Sequence, residues 1–314
     1  MDRIGIIHNP FAKGNLKRPW ISEKLRELVE PAGVLRETKN INELPRVAEE
    51  FIEQGVNIIG VNGGDGTLHL TLTAFLPVYG DRPFPRVMSL RGGTMNTMAN
   101  SLKIKGQTLR IVKAAVEQIK AGRPFEEKPQ HLIKVNGKFG FMSGAGIIAK
   151  FLDIYYSGSN PGPAHAAKLV ARTIGSAMFF TRFSRNLFSS TPARLVVEGE
   201  RIELEEYTVI LACVIKEAGL GFTPTPRACD RLDHFHLLAG DIRPYQVLPR
   251  VPSLWFGRDI THPRIVMNRP VREMVIEPVG KLRWMVDGEM YDTTEPLHYS
   301  VGPTVRVVAP SKKK

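Results

Sequence analysis

Cysteine is scarce in this chain of 314 residues: Cys213 and Cys229 are the whole supply. Two thiols build no disulfide framework and show no metal-ligand spacing, so a reducing cytoplasm is the expected setting. Long apolar runs are missing too, and none approaches the roughly 20 residues needed to cross a bilayer. Met1-Asp2-Arg3 leads straight into an apolar segment without a basic-then-apolar leader, which argues against secretion. Acidic side chains are in deficit, with 31 Asp and Glu against 43 Lys and Arg and a formal charge of +12. A basic surface is drawn to polyanions, either nucleic acid or an anionic leaflet. No zinc finger, aromatic RNP pattern or helix-turn-helix signature is present, so no nucleic-acid partner is expected. The Lys312-Lys313-Lys314 end reads as solvated charge. Internal repeats and low-complexity stretches are also absent. At 43% hydrophobic residues the chain can still bury one large core or two medium ones.

What the chain has is glycine in the right places. The apolar run Val56 to Val61 leads into Gly63-Gly64-Asp65-Gly66-Thr67, and then into the helical-looking Leu68-His69-Leu70-Thr71-Leu72. Glycines let the backbone approach a bulky anion, and the free N–H groups that open a helix suit a phosphate. Asp65 would repel phosphate, so it reads instead as a group for a metal ion or for a hydroxyl awaiting phosphorylation. Two further apolar segments end in similar loops. Ile4 to Ile7 precedes Asn9-Pro10-Phe11-Ala12-Lys13-Gly14, and Val87 to Leu90 precedes Arg91-Gly92-Gly93-Thr94-Met95-Asn96. In an open parallel sheet such loops share one edge, where ligands collect.

Those loops resemble the diacylglycerol kinase catalytic-domain family, which includes bacterial lipid kinases, sphingosine kinases and ceramide kinases. Asn9-Pro10 with Gly14, Gly63 to Thr67, Gly93-Thr94 with Asn96, and Asp287-Gly288-Glu289 carry the resemblance over nearly the whole chain. It implies an ATP-dependent kinase of a lipid hydroxyl, diacylglycerol-like or sphingoid-like, that works with Mg²⁺. The nucleotide contacts would be Asn9, Thr38, Gly63, Gly64, Asp65, Gly66, Thr67, Thr94 and Asn96. Glu289 matches the family's proton acceptor, Asp287 is its rival, and Asp65 would hold the acceptor hydroxyl or the nucleotide-bound Mg²⁺. A structural Mg²⁺ site would draw on Asp230 and Asp233, although no glycine follows Asp233 where the family has one. His234 and His236, two apart, read as structural residues of a strand. The third loop departs from the family pattern at Thr97 and Met98, where an aspartate and a phenylalanine are common. Arg91 stands in place of a proline and adds positive charge beside the expected phosphates. A kinase of a soluble acceptor, such as NAD, and a catalytically silent nucleotide or lipid sensor are the alternatives. The expected location is cytoplasmic and peripheral, at the membrane's inner face, and a homodimer is consistent with the resemblance.

The expected fold is α/β plus all-β: a doubly wound, NAD-kinase-like nucleotide-binding domain and an antiparallel β-sandwich domain. Residues 1–124 would form the first and 125–290 a β-rich lipid-substrate domain; the resemblance implies that the last strands, about 291–314, return to complete the first. Period-two and helical patterning predict strands near 3–8, 34–38, 57–61 and 86–90, and helices near 20–30, 43–54, 67–76 and 107–121. Pro19 fits a first helical turn and Asn42 an N-cap. Short β segments follow at 130–136, 138–148, 193–198, 201–214, 234–239, 264–266, 272–277 and 282–286. Val135-Asn136-Gly137-Lys138 reads as a hairpin. One long helix, Ala164 to Leu187, combines aromatics with Lys and Arg, a composition for packing on the second domain or for an interfacial position. The loop Gly158 to Pro163 precedes it.

Overall fold

The computed structural model describes residues 2–158 and 162–311, and the chain divides into two compact units. The first holds residues 1–130 and 303–314, the second 131–302. The three terminal lysines and the middle of the 158–163 loop lie outside the described residues.

In the first unit the elements run β1 (Ile4–His8), α1 (Lys13–Leu16), α2 (Ile21–Val29), β2 (Gly33–Glu37), α3 (Leu44–Glu53), β3 (Ile58–Asn62), α4 (Asp65–Tyr79), β4 (Arg86–Ser89), α5 (Thr97–Ser101) and α6 (Thr108–Lys120). Strands β4, β3, β1 and β2 lie side by side in that order, all parallel. Every residue of β1 and β3 is buried, as expected for strands covered on both faces. The helices supply that cover in pairs, α2 with α6 and α3 with α4. Ile21, Leu25 and Val29 recur every four residues and bury one stripe of α2, while Leu44, Val47, Ala48 and Phe51 do so on α3. Phe51 meets Phe75 of α4 edge to face at 5.9 Å between ring centres, a pairing that adds about 0.5–1.5 kcal/mol to the area term.

The order of strands decides where a ligand can sit. From β1 the chain steps to β2 on one side, and from β3 to β4 on the other. The carboxyl ends of β1 and β3 therefore flank the point where the winding reverses, which is where an open parallel sheet leaves a crevice.

The second unit is built from antiparallel strands. They are β5 (Glu126–Val135), which enters it from the first unit, β6 (Lys138–Gly140), β7 (Met142–Gly146), β8 (Thr191–Val197), β9 (Glu200–Arg201), β10 (Glu206–Tyr207), β11 (Val209–Cys213), β12 (Phe235–Gly240), β13 (Ile265–Val271), β14 (Glu273–Pro278), β15 (Leu282–Val286) and β16 (Glu289–Thr293). One sheet has the order β13-β12-β11-β7-β15-β16. In the other, β14 pairs with β8 and with the start of β17 (Leu297–Ala309), and the far end of β17 pairs with β4 in the first unit. Alternate residues of β11 face opposite ways. Val209, Leu211 and Cys213 join Ala228, Leu238 and Ile260 in one core cluster, which α7 (Ile147–Ser157) covers through Ile147 and Ile148. On the opposite face Ser143 of β7 donates to the Met285 carbonyl and bonds the Tyr299 hydroxyl at 2.9 Å.

Two hairpins are set by their turn residues. Val135 pairs with Lys138 across Asn136 (φ 45°) and Gly137 (φ 80°). Val286 pairs with Glu289 across Asp287 (φ 46°) and Gly288 (φ 90°). Both are two-residue turns with two positive φ angles, the geometry that Asn-Gly and Asp-Gly favour. Elsewhere the structure departs from the sequence reading. The segment 138–148 is not strand throughout: Gly146, at φ 69°, turns the chain into α7. The long helix is two, α8 (Pro163–Met178) and α9 (Arg182–Leu187), broken where Phe180 takes φ 49°. Two short helices, α10 (Pro244–Val247) and α11 (Val251–Phe256), lie between β12 and β13. Asn40, not Asn42, is the cap before α3: its side chain accepts from the Asn42 N–H and opens a 3₁₀ turn. Pro19 precedes α2, which starts at Ile21.

Candidate active site

The loops after β1, β3 and β4 meet at the carboxyl edge of the first unit's sheet, and backbone does most of the meeting. A methyl added to Gly14 would overlap the Gly92 carbonyl, and one added to Gly93 would overlap Gly64 Cα. These positions need glycine because another loop's main chain passes where a side chain would be. Polar side chains bind the loops together. Asn9 accepts the Phe11 N–H and donates from Nδ2 to Thr67 Oγ1 at 2.9 Å. Asn15 donates to the carbonyls of Asn9 and Asn62. Asn96, itself at φ 50°, closes on Gly93 with its oxygen on the N–H and its nitrogen on the carbonyl.

Helix α4 opens on this edge. Its first intrahelical bond runs from the Leu68 N–H to the Gly64 carbonyl, and Gly64 offers no side chain as a cap. The amides of Asp65, Gly66 and Thr67 precede that bond, the set of donors a helix start presents to an anion. Because Thr67 Oγ1 accepts from Asn9, its own proton is left to donate.

Asp65 has a more specific place than its spacing suggested. Its two carboxylate oxygens accept the Thr97 N–H at 2.8 Å and the Met98 N–H at 3.1 Å. The carboxylate thus occupies the anion position of α5, and the start of α4 stays open. Burial pushes this carboxyl above the usual range, against the pull of those amides, the Thr97 hydroxyl and Arg91. Arg91, at φ 58°, donates to Asn100 Oδ1 and to the Ile104 carbonyl. Its guanidinium binds the third loop to the segment after α5. Thr38 is buried at the end of β2 with its N–H on the His8 carbonyl, and Thr94 is half-buried in the third loop.

Three residues of this edge carried no sequence motif. Asn62, fully buried, donates to His8 Nδ1 at 2.8 Å, and burial lowers the His8 imidazole's affinity for a proton against the attraction of Glu37. A cavity of about 240 Å³ lies beneath the first loop, lined by His8, Phe11, Asn15, Arg18 and Glu37. The signal was there in part: buried Asn62 closes a strand, and asparagine is depleted from strands.

In the second unit Asp287 and Glu289 flank the Asp-Gly turn but do different things. Asp287 is buried, and its oxygens accept the N–H groups of Phe141, at 2.9 Å, and Met142, also at 2.9 Å. It braces the chain between β6 and β7. Glu289 is half-buried, burial is the sole cause acting on its carboxyl, and that cause pushes the pKa upward. Nearby Tyr291 is pushed up to about 12 by burial and by the two carboxylates. Asp230 faces Lys216 at 3.6 Å on the surface. Asp233 is exposed and held by Arg231, His234 and Arg272, which keep its carboxyl well below the usual range. Among the described residues no three His, Cys, Asp or Glu side chains come together as a metal-binding group. Both carboxylates of the expected site are thus engaged with cations. His236 is buried in β12 between Asn268 Oδ1 and the Arg227 N–H, a structural role.

Comparison with known proteins bears on the first unit and on the fold as a whole. Residues 3–125 match the model of the diacylglycerol kinase catalytic domain. No curated protein matches the sequence. A crystal structure of a diacylglycerol kinase from Bacillus anthracis strain Sterne is similar with a TM-score of 0.66 and 16% identity, covering 98% of this chain and 97% of that one. Two structures from the same organism with a provisional diacylglycerol kinase assignment are similar at 0.67 with 16% identity and at 0.66 with 14% identity, over the same shares of both chains. Identity that low fixes the fold, and the fold is the two-domain, NAD-kinase-like one. By its loops and by the matched family model, the stretch 3–125 is similar to the diacylglycerol kinase catalytic domain.

Proposed function

We propose that the protein is an ATP-dependent lipid kinase that moves the γ-phosphoryl group of ATP to the hydroxyl of a lipid alcohol. The observation that carries the reading is the open start of α4 beside glycine loops whose backbones touch, joined to a family of phosphotransferases. In this reading the amides of Asp65 to Thr67 and the Thr67 hydroxyl hold the nucleotide phosphates, with Asn9, Thr38, Thr94 and Asn96 around them. Asp65 is a positioning residue: with both oxygens on the α5 amides, it fixes the third loop against the second. Mg²⁺ bound with the nucleotide would supply charge neutralisation at the phosphates.

The chemistry needs one proton acceptor. The lipid oxygen forms a bond to the γ-phosphorus, the bond from phosphorus to the β–γ bridging oxygen breaks, and the electron pair leaves with ADP. The hydroxyl proton goes to Glu289. A raised pKa suits a general base, since catalysis is best when the acceptor's pKa approaches the working pH. Asp287 is a poorer choice because its oxygens already accept two backbone amides.

The test is transfer of labelled γ-phosphate from ATP with Mg²⁺ to a lipid extract in detergent micelles, with NAD and sugars in parallel. A labelled lipid, lost in Glu289→Gln, is the expected result and gives the substrate by mass. Label on NAD would make this a soluble-acceptor kinase. ATP binding without any transfer would make it a sensor.

A further inference from the structure

The second unit carries an exposed aromatic surface that the kinase reading does not use. Phe179 is 78% exposed and Phe256 72%, with Met178, Phe180, Tyr245 and Trp255 about half exposed. Side chains of this size rarely stand in water together without a partner. They come from two separate stretches that meet through Phe180 and Tyr245, while Trp255 packs on Phe222. Helix α8 packs on α9 and α10, and the rings of Phe180 and Tyr245 lie 5.6 Å apart. The positive φ of Phe180 ends α8 here and places Phe179 and Phe180 at a bend between two helices.

Charge says what the surface meets. Between Asp153 and Glu198 there is no acidic residue, and none between Asp241 and Asp259. The same stretches hold Lys168, Arg172, Arg182, Arg185, Arg243 and Arg258, all exposed. Elsewhere in this unit arginines sit in ion pairs with acids, as Arg269 does with Glu198 and Arg283 with Asp153 and Asp292. Here Arg172 lies over the Phe183 ring at 4.1 Å. Exposed aromatics with cations and no anions suit a bilayer surface: rings enter the headgroup boundary while arginines meet lipid phosphates.

We propose that the α8–α9 bend and the α10–α11 segment form one docking surface for anionic lipid bilayers. The proposal deepens the lipid-kinase reading and rests on it for its purpose, but the surface is testable alone. Two signals are combined because neither suffices: a few partly inserted rings bind weakly, and cations add attraction that salt screens.

The experiment is co-sedimentation of the full chain with vesicles of phosphatidylcholine, with and without phosphatidylglycerol, at low and high salt. Expected is binding only to the phosphatidylglycerol vesicles, weakened by salt. Arg182→Glu with Arg185→Glu should weaken it at least ten-fold, at about five-fold per cation removed, and Phe179→Ser with Phe256→Ser by a similar factor. Both double variants should keep wild-type transfer to lipid in detergent micelles, where no bilayer is needed. Equal binding to neutral vesicles, or variants that bind like wild type, overturns the proposal. So does a wild-type dimer that the variants convert to monomer without loss of vesicle binding, since the surface would then cover a second copy. Vesicle binding lost in the variants, with no lipid phosphorylated in micelles, upholds the docking surface and defeats the kinase reading. Lipid phosphorylation without vesicle binding does the reverse.

Discussion

Asp65 in the first unit and Asp287 in the second sit beside glycines, one in Gly-Gly-Asp-Gly and one in Asp-Gly-Glu, and both invite a catalytic assignment. Each instead spreads its carboxylate over two backbone amides of another segment. Glu289, two residues beyond Asp287, has burial as the sole cause on its pKa. An aspartate whose oxygens already accept amides is a poorer candidate for taking a proton than a glutamate whose pKa burial raises. These hydrogen-bond partners are what favours Glu289 over Asp287 in the proposed role of base.

The largest break expected is Glu289→Gln, which should slow phosphoryl transfer by about 10²–10⁴-fold, the range for losing a positioned general base. Its stability should move the other way. Burial raises the folded pKa, so the charged carboxylate is disfavoured in the fold and protonation on lowering the pH adds stability. At neutral pH the glutamine variant should melt at or above the wild-type temperature, with the difference shrinking as pH falls through the folded pKa. A large loss of stability would make Glu289 a brace as well. Next comes Gly93→Ala, whose methyl would overlap Gly64 Cα. Forcing two loops apart should cost about 1–3 kcal/mol, read by denaturant unfolding, and should weaken nucleotide binding more than ten-fold by titration.

The two aspartates then sharpen the comparison against each other. Asp65→Asn and Asp287→Asn each set an amide NH₂ against a backbone N–H, and each should cost about 1–3 kcal/mol. They differ in readout. Asp65→Asn frees the third loop and should weaken nucleotide binding, whereas Asp287→Asn should leave it unchanged. The smallest effect is Asn9→Ala, which removes the bond to Thr67 and should cost about 1 kcal/mol.

Local chemistry was legible in the sequence. The parallel strands showed as short apolar runs, α2, α3 and α6 as stripes at helical spacing, and the 135–138 hairpin as Asn-Gly between strands. Backbone conformations set by tertiary packing were not legible. Gly146 turns β7 into α7, and Phe180 breaks the α8–α9 helix, at positions where composition alone favours continuation. The candidate site divided in the same way. Glycine spacing marked the loops, because a close main-chain approach leaves a mark on composition. The partners of Asp65 lie 32 and 33 residues away, and those of Asp287 lie 145 and 146 away. No local pattern encodes them. Arg91 teaches the same lesson: its charge beside the loop was visible, but its use on Asn100 and Ile104 was not.

The most direct test of the account is the pH dependence of kcat/KM for transfer from ATP to the lipid alcohol, in wild type and in Glu289→Gln. The account predicts an acidic limb whose midpoint lies above the ordinary glutamate value of 4.5, and a Glu289→Gln variant that binds ATP normally, transfers slowly and lacks that limb. Near-normal transfer by Glu289→Gln with the limb intact would contradict it.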